Sequence, residues 1–142
     1  MTASVISRID EEDQEIGNFI NGEFVRYGEK NGVVLNYDEF CFAAKNPDGT
    51  ITGVITGRAY YNEVCIGDLI VGEAYRGTGL GSRLVRAVEE AYKGKGYDFI
   101  TLTTFGFQAP EFYRKLGYQT DFVRESTDPK LTKYFLRKKL PR

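Results

Sequence analysis

Three glycines at alternate positions, Gly77, Gly79 and Gly81, lie between an apolar segment and an amphipathic one. Fixing a glycine costs more backbone entropy than fixing any other residue, so this cluster indicates that something must approach the main chain closely. A strand, a glycine loop and the start of a helix also aim several backbone N–H groups at one point, where the helix dipole favours negative charge. The segment therefore predicts an anion site, and phosphate is its usual occupant.

Two familiar phosphate loops do not match this segment. A dinucleotide-binding loop needs G-x-G-x-x-G and an acidic residue at the end of the next strand, and this chain has neither. A P-loop needs lysine directly after its last glycine, whereas Ser82 and Arg83 follow Gly81. The loop therefore belongs to another class of phosphate site.

The composition restricts the chemistry that the chain can perform. Its 142 residues suffice for one domain with a core, and they include no histidine and no tryptophan. This excludes an imidazole base, a Ser-His-Asp triad and a histidine metal ligand, and we expect no metal. Catalysis must use carboxylates, tyrosines, the backbone or a cofactor. The net charge of −1 supplies no global basic field to hold nucleic acid or an anionic membrane.

The two cysteines and the lengths of the apolar segments bear on the cellular compartment of the protein. Cys41 and Cys65 each lie in a β-like apolar run, and we expect them to be buried, reduced and without a catalytic role. The N-terminal residues do not have the pattern of a signal peptide, and no stretch approaches the ~18 apolar residues of a membrane span. These features predict a cytoplasmic protein.

The first half of the chain predicts a helix followed by a hairpin, within one α/β domain spanning residues 1–142. Asp10 is the expected helix cap, and residues 28–38 are the expected loop. Residues 39–45 and 50–60 are the strands of the hairpin, because the tetrad between them has the proline and glycine of a tight turn.

The second half alternates strands and helices, which predicts a parallel crossover unit and a final antiparallel pair. In chain order we expect a strand at 64–71, an amphipathic helix from Leu80, a strand at 97–105, a short helix at 108–116, and strands at 118–126 and 132–140.

Two motifs in this arrangement resemble those of the GCN5-related N-acetyltransferase (GNAT) family. The first is R-x-x-G-x-G at residues 76–81, and the second is "APEFYRKLGYQ" at residues 109–119, a short helix that carries a tyrosine. The resemblance implies a mixed sheet of about six to seven strands flanked by helices and splayed after the fourth strand. It also implies transfer of an acetyl group from acetyl-CoA to a primary amine, directly within a ternary complex.

The same resemblance implies roles for individual residues. Main-chain groups of Ile70 and Val71 would bind the pantetheine arm of acetyl-CoA, with the Val71 N–H as oxyanion donor, and Tyr113 would protonate the departing thiolate. The loop amides would wrap the pyrophosphate, and Arg76 would shape the loop and add charge. The expected pyrophosphate residues are Gly77, Thr78, Gly79, Gly81 and Ser82, while Arg83, Arg86 or Lys115 could meet the remaining phosphate or be solvated helix residues.

The general base is a carboxylate whose identity the sequence leaves open. Asp68 shares strand parity with Ile66 and Ile70, so a cover over that face would raise its pKa toward useful values. Glu63 and Glu73 compete with it, although a solvated surface role suits both. The chain departs from the resembling family at Gly67, where some members have glutamate, and at Gly106, where many have asparagine.

The acceptor is expected to be a small-molecule amine. Acidic residues at 10–15 and Glu39 could attract a cationic amine, although helix capping also explains the first group. A catalytically silent acyl-CoA sensor on the same fold is the alternative function. Binding of nucleic acid through the short basic run at 137–142 is disfavoured by the net charge, and the family resemblance makes a homodimer possible.

Overall fold

The computed structural model describes residues 3–142 in two compact units, one ending at Leu35 and one beginning at Asn36. The first unit contains helix α1, Gln14–Lys30. Its N-cap is Asp13, whose Oδ1 accepts a 2.9 Å hydrogen bond from the Ile16 N–H, so the expectation that Asp10 caps the helix is wrong. The helix also runs past Gly28, into the segment predicted as loop.

The second unit is a mixed sheet with helices. Its strands are β1 (Asp38–Lys45), β2 (Ile51–Tyr60), β3 (Glu63–Val71), β4 (Phe99–Phe105), β5 (Gln119–Arg124) and β6 (Lys133–Lys139), and its helices are α2 (Leu80–Tyr92) and α3 (Pro110–Lys115). The six strands lie in the order β1-β2-β3-β4-β6-β5, with β3 and β4 parallel and the other neighbours antiparallel. The hairpin, the parallel crossover and the final antiparallel pair are confirmed. The interpretation as one domain stays a prediction.

The apolar face of α2 forms the core of this unit with one face of the sheet. Val85 and Val88 are fully buried, as are Ile55, Ile100 and Leu136 on three different strands. Burying a side chain of this size stabilises the fold by about 1.5–3 kcal/mol relative to leaving it in water. This packing fixes the start of α2 against the sheet, where the glycine loop enters.

Strands β3 and β4 pair over a short distance and then separate. Their ladder runs from Glu63 opposite Phe99 to Cys65 opposite Thr101, although β3 continues to Val71. The sheet is therefore splayed, as the resemblance implied. The resemblance implied a splay after the fourth strand of the chain. Here the splay follows the third strand, β3, because residues 3–13 contain no strand that would precede β1.

An extra residue in β3 interrupts its pairing with β2. Ile55 lies opposite Leu69 and Gly57 lies opposite Ile66, so two residues of β3 correspond to one residue of β2. Beyond such a β-bulge, the alternation of side chains between the two faces of the sheet is shifted by one residue. Ile66 is buried in the core, whereas Ile70 is 58% exposed. The predicted parity is therefore wrong, because the bulge separates Asp68 and Ile70 from Ile66.

The two cysteines are unpaired, and they differ in burial. Cys41 is exposed, which contradicts the expectation that both are buried, and Cys65 is half-buried. Strand alternation explains this: Phe40 and Phe42 turn toward the core, and Cys41 between them points to the opposite face. Among the described residues, no helix is long and apolar enough to cross a membrane.

Candidate functional site

A cavity of about 1130 Å³ follows the opening between β3 and β4. It is lined by the end of β3, the glycine loop, the start of α2 and one side of α3. Of the residues that the sequence analysis singled out, it brings together Asp68, Ile70, Val71, Arg76, Gly77, Gly79, Gly81, Ser82 and Tyr113.

Main-chain groups at the end of β3 face this cavity without a strand partner. The Gly72 N–H donates to the Thr52 carbonyl oxygen at 2.8 Å, so these two residues form a hydrogen-bonded pair between β2 and β3. Along an antiparallel ladder, such pairs recur at every second residue. Ile70 opposite Val54 is therefore such a pair, while Leu69 and Val71 turn their main-chain groups away from β2. The assignment of Ile70 is thus corrected: Leu69 has the free main-chain groups, and Ile70 offers its side chain.

The glycine loop presents backbone with open space in front of it. Gly77 and Gly79 have φ values of 76° and 84°, in the left-handed region that favours glycine, and a Cβ at either position would meet no atom within 4 Å. Gly79 is also the N-cap of α2, and no side chain caps the helix there. The first amides of α2 are consequently available to an anion.

Two polar side chains hold the loop in this shape. The Arg76 Nε donates to the Val71 carbonyl oxygen at 3.0 Å, and the Thr78 hydroxyl donates to the Tyr75 carbonyl oxygen at 2.6 Å. Arg76 therefore ties the loop back to β3, as expected of a residue that shapes it. The Thr78 side chain is used within the loop and does not line the cavity.

Tyr113 lines the same cavity and is almost fully buried. Its ring packs edge-on against Phe112 at 5.0 Å and against Tyr118 at 5.8 Å between centroids. Burial raises the pKa of Tyr113 to about 12, because the charged phenolate is disfavoured away from water. The phenol therefore stays protonated at neutral pH and can donate a proton.

A half-buried ion pair supports the helix that carries Tyr113. The Lys138 Nζ lies 3.1 Å from Glu89 Oε1 and donates to the Leu116 carbonyl oxygen at 2.9 Å, just beyond the end of α3. The Tyr118 hydroxyl donates to the same carboxylate at 2.9 Å. These bonds connect α2, β6 and the end of α3.

Replacing Lys138 by methionine is expected to destabilise the protein by about 1–3 kcal/mol, because the Leu116 carbonyl loses its side-chain donor and Glu89 loses its cation, keeping only the Tyr118 hydroxyl. Denaturation in urea measures the change. The matched control is Lys139→Met, since Lys139 is exposed and has no ion pair among the described residues. Equal losses in the two variants would contradict a role for this cluster.

Asp68 is the one carboxylate among the described residues that lines the cavity. Its N–H donates to the Thr56 hydroxyl at 3.3 Å, which fixes the bulge. The residue is exposed, so the cover that the sequence analysis assumed over this face is not present. Glu63 and Glu73 lie outside the cavity, and Glu63 instead accepts a 3.7 Å contact from the Cys65 thiol.

The second departure from the family pattern has a steric cause. A Cβ at Gly106 would lie 2.4 Å from the Pro129 carbonyl oxygen, in a short 3₁₀ turn at Pro129–Leu131. Gly106 and Phe107 also donate to the Thr132 and Lys130 carbonyl oxygens at 2.8 and 3.0 Å. An asparagine side chain cannot be accommodated in this backbone arrangement.

Several basic residues considered from the sequence are placed away from the cavity. Arg83, Arg86 and Lys115 are exposed and do not line it, as expected of solvated helix residues. In the C-terminal basic run, Arg137 pairs with Asp121 at 2.7 Å and Arg142 with Asp98 at 2.9 Å. Carboxylates thus compensate much of the positive charge of this run.

Several residues of the cavity wall were not predicted from the sequence, among them Leu69, Tyr75 and Gln108. Leu69 could be identified only with knowledge of the bulge. Tyr75 accepts a 2.9 Å hydrogen bond from the Asn46 side chain, a contact that spans the loop and the hairpin turn. Gln108 accepts from the Phe105 N–H at 2.9 Å and shapes the end of β4. Its position two residues before the proline of α3 was the available signal for a turn.

Comparison with known proteins gives one family. The sequence model described as the acetyltransferase (GNAT) family matches residues 8–118. A blasticidin-S acetyltransferase of Streptomyces morookaense is 33% identical over 93 residues, which are 65% of this chain and 68% of that protein.

Solved structures agree with this match. The crystal structure of an acetyltransferase from Bacillus cereus is 33% identical, with a TM-score of 0.76 over 94% of this chain and 98% of that chain. An aminoglycoside 6'-N-acetyltransferase complexed with coenzyme A is 18% identical, with a TM-score of 0.64 over 98% of this chain and 99% of that chain. The second likeness shows a shared fold.

Proposed function

Because the chain belongs to the acetyltransferase (GNAT) family, we propose that it transfers an acetyl group from acetyl-CoA to a primary amine of a small molecule. One observation carries the proposal: Val71, whose N–H has no partner in β2, lines the same cavity as the glycine loop and the buried, protonated Tyr113. Thioester aminolysis needs these elements, because negative charge develops on the carbonyl oxygen and then on the leaving sulfur.

The cavity suits acetyl-CoA along its length. The open side of Gly77 and Gly79 accepts a pyrophosphate, and the free main-chain groups of Leu69, together with the Val71 N–H, match the amides of a pantetheine arm. The volume of about 1130 Å³ lies slightly above the usual range of small-molecule sites, as an extended cosubstrate requires.

The proposed reaction is a direct transfer. Asp68 accepts the proton of the ammonium, through water, and the amine nitrogen then attacks the thioester carbonyl carbon. The Val71 N–H donates to the oxyanion of the tetrahedral intermediate. The C–S bond breaks, the electron pair leaves with sulfur, and Tyr113 gives its proton to that thiolate. The acylated nitrogen then passes its excess proton through water to the Tyr113 phenolate, which restores the phenol, and Asp68 releases its proton to solvent.

The acceptor class is inferred from relatives and charge. The blasticidin-S acetyltransferase is named for a small antibiotic, and this chain is similar to it over most of its length. Asp68 and Glu39 both lie beside cavities, where they favour a cationic amine.

We expect the protein to act in the cytoplasm and as a homodimer. Two free cysteines suit a reducing compartment. The edge strand β5 is exposed along its whole length, which leaves its unpaired side open to a second copy. Sedimentation of the purified protein measures the oligomeric state.

The first experiment is a calorimetric titration with acetyl-CoA, followed by measurement of free-thiol release with blasticidin S, aminoglycosides, polyamines, amino acids and lysine peptides. Binding with turnover on one amine class is the expected result. Binding without turnover on any amine would favour the acyl-CoA sensor, and absence of binding would contradict the loop assignment.

A further inference from the structure

A second cavity, of about 590 Å³, adjoins the first one, and the two share Thr56 and Gly67 as lining residues. It lies on the sheet face opposite to the core, over β1, β2 and β3. Strand alternation places Glu39 and Arg58 on that face, together with Asp68 beyond the bulge. The second cavity therefore continues the first along one surface of the sheet.

This cavity displays two opposite charges that do not pair with each other. Glu39 and Arg58 are direct partners in the register of β1 and β2, a position where opposite charges usually meet. In residues 3–142, however, neither side chain has an ion-pair partner. Both charges are available to a ligand.

Aromatic neighbours hold each charge in place. The Glu39 carboxylate accepts a 2.8 Å hydrogen bond from the Tyr37 hydroxyl, which leaves its other oxygen free. The guanidinium carbon of Arg58 lies 5.9 Å from the centre of the Tyr60 ring. Tyr37 and Tyr60 also contact each other, with 6.4 Å between ring centres. The carboxylate and the guanidinium thus lie side by side at the second cavity, and both side chains are exposed to a polar ligand.

The distance from this site to Asp68 sets the minimum length of a ligand that contacts both. Glu39 is two strands from β3, and Asp68 is three residues along β3 from Cys65, the partner of Arg58. With about 4.8 Å between strands and 3.3 Å per residue, the main chain at Arg58 is roughly 11 Å, and that at Glu39 roughly 14 Å, from the main chain at Asp68. A short amine cannot contact both places at once.

We propose that the second cavity anchors the far end of an elongated amine acceptor whose reactive nitrogen lies at Asp68. Glu39 binds a cationic group at that far end, and Arg58 binds an anionic or carbonyl oxygen. This inference rests on the proposed function, since it names the class of molecule that the acetyltransferase would accept. The class is a long, polar amine with a charged group remote from the nitrogen that is acetylated.

Two probes of equal length test the two charges separately. Diaminooctane offers a remote cation, and aminooctanoate offers a remote anion. Diaminopropane and aminopropanoate are the corresponding short probes. Dissociation constants are measured by ligand-observed NMR titration of the purified protein in the presence of CoA, so that the readout does not depend on turnover.

We expect Glu39→Gln to weaken binding of diaminooctane by about tenfold or more and to leave aminooctanoate unchanged, because a hydrogen-bonded charge contributes about 1.5–3 kcal/mol. Arg58→Gln gives the reverse pattern, and the short probes respond to neither variant. Glu125→Gln is the control, since Glu125 is exposed and lies outside both cavities.

The proposal is overturned if both long probes bind the two variants as they bind the wild type, or if long and short probes bind equally well. Failure of the proposed function looks different. The protein would then bind the long probes in the pattern above, with or without CoA, but would not bind acetyl-CoA in the calorimetric titration.

Discussion

Replacing Gly79 by valine is expected to lower the affinity for acetyl-CoA at least about hundredfold, roughly 2.7 kcal/mol. Gly79 has a φ of 84°, and its missing side chain opens onto the cavity beside the start of α2. A β-branched residue in the left-handed region costs about 1–2 kcal/mol. Its methyl groups would also occupy the space through which a phosphate reaches the backbone. Calorimetric titration measures the affinity directly.

The control for this variant is Gly49→Val in the turn between β1 and β2. Gly49 has nearly the same φ, 89°, and equally open surroundings, but it does not line the cavity. The two variants should lose similar stability in urea, while only the Gly79 variant loses affinity. If the Gly49 variant weakened binding to the same extent, backbone strain rather than phosphate access would explain the result.

Replacing Tyr113 by phenylalanine is expected to lower turnover about hundredfold and to change the affinity for acetyl-CoA by less than about twofold. A positioned general acid contributes roughly 10²–10⁴ in rate, whereas the ring that packs against Phe112 remains. Steady-state kinetics with the accepted amine, together with the calorimetric titration, separate the two effects. Unchanged turnover would remove Tyr113 from the mechanism.

Tyr118→Phe is the matched control, because Tyr118 is a buried tyrosine in contact with Tyr113 that does not line the cavity. It should keep its turnover and lose about 2 kcal/mol of stability with its bond to Glu89.

The pH dependence follows from the raised pKa of Tyr113. Since that pKa is about 12, the phenol keeps its proton at all neutral and moderately alkaline pH values, and the acid is lost only as the pH rises through about 12. The factor lost in Tyr113→Phe should therefore be constant across this range. A factor that disappears between neutral pH and pH 10, the ordinary pKa of tyrosine, would contradict the burial argument.

The sequence predicts the elements that have strong local signals. The helix that begins at Leu80 was predicted to be amphipathic from its 3.6-residue pattern, and its apolar face packs on the sheet. Asn46, Pro47 and Gly49 identify the hairpin turn because each has a conformational preference suited to it. The glycine loop and Tyr113 line one cavity, because they follow β3 and β4, two parallel strands whose carboxyl ends lie at the same edge of the sheet.

Features that depend on pairing between strands were not predictable in the same way. The bulge in β3 lies at Gly67 and Asp68 and arises from the register of β3 against β2. A glycine inside a strand is a signal of a bulge, but it does not give the register that results. The bulge decides which side chains share a face with Asp68 and which main-chain groups turn into the opening. The exposure of Cys41 likewise depends on which face of β1 the core covers. The helix cap at Asp13 was ambiguous because four acidic residues occur in succession from Asp10.

Because β3 separates from β4, hydrogen exchange can detect a molecule bound in the opening even when no reaction takes place. Amide protons in the middle of a sheet usually exchange with solvent only when the fold opens, yet those of Leu69 and Val71 face the gap beyond the last β3–β4 pair. In the free protein these two positions should take up deuterium as quickly as a surface loop, although they lie in a central strand. A molecule that fills the gap and accepts their hydrogen bonds would slow this uptake, which turns two backbone atoms into an isotopic sensor of binding.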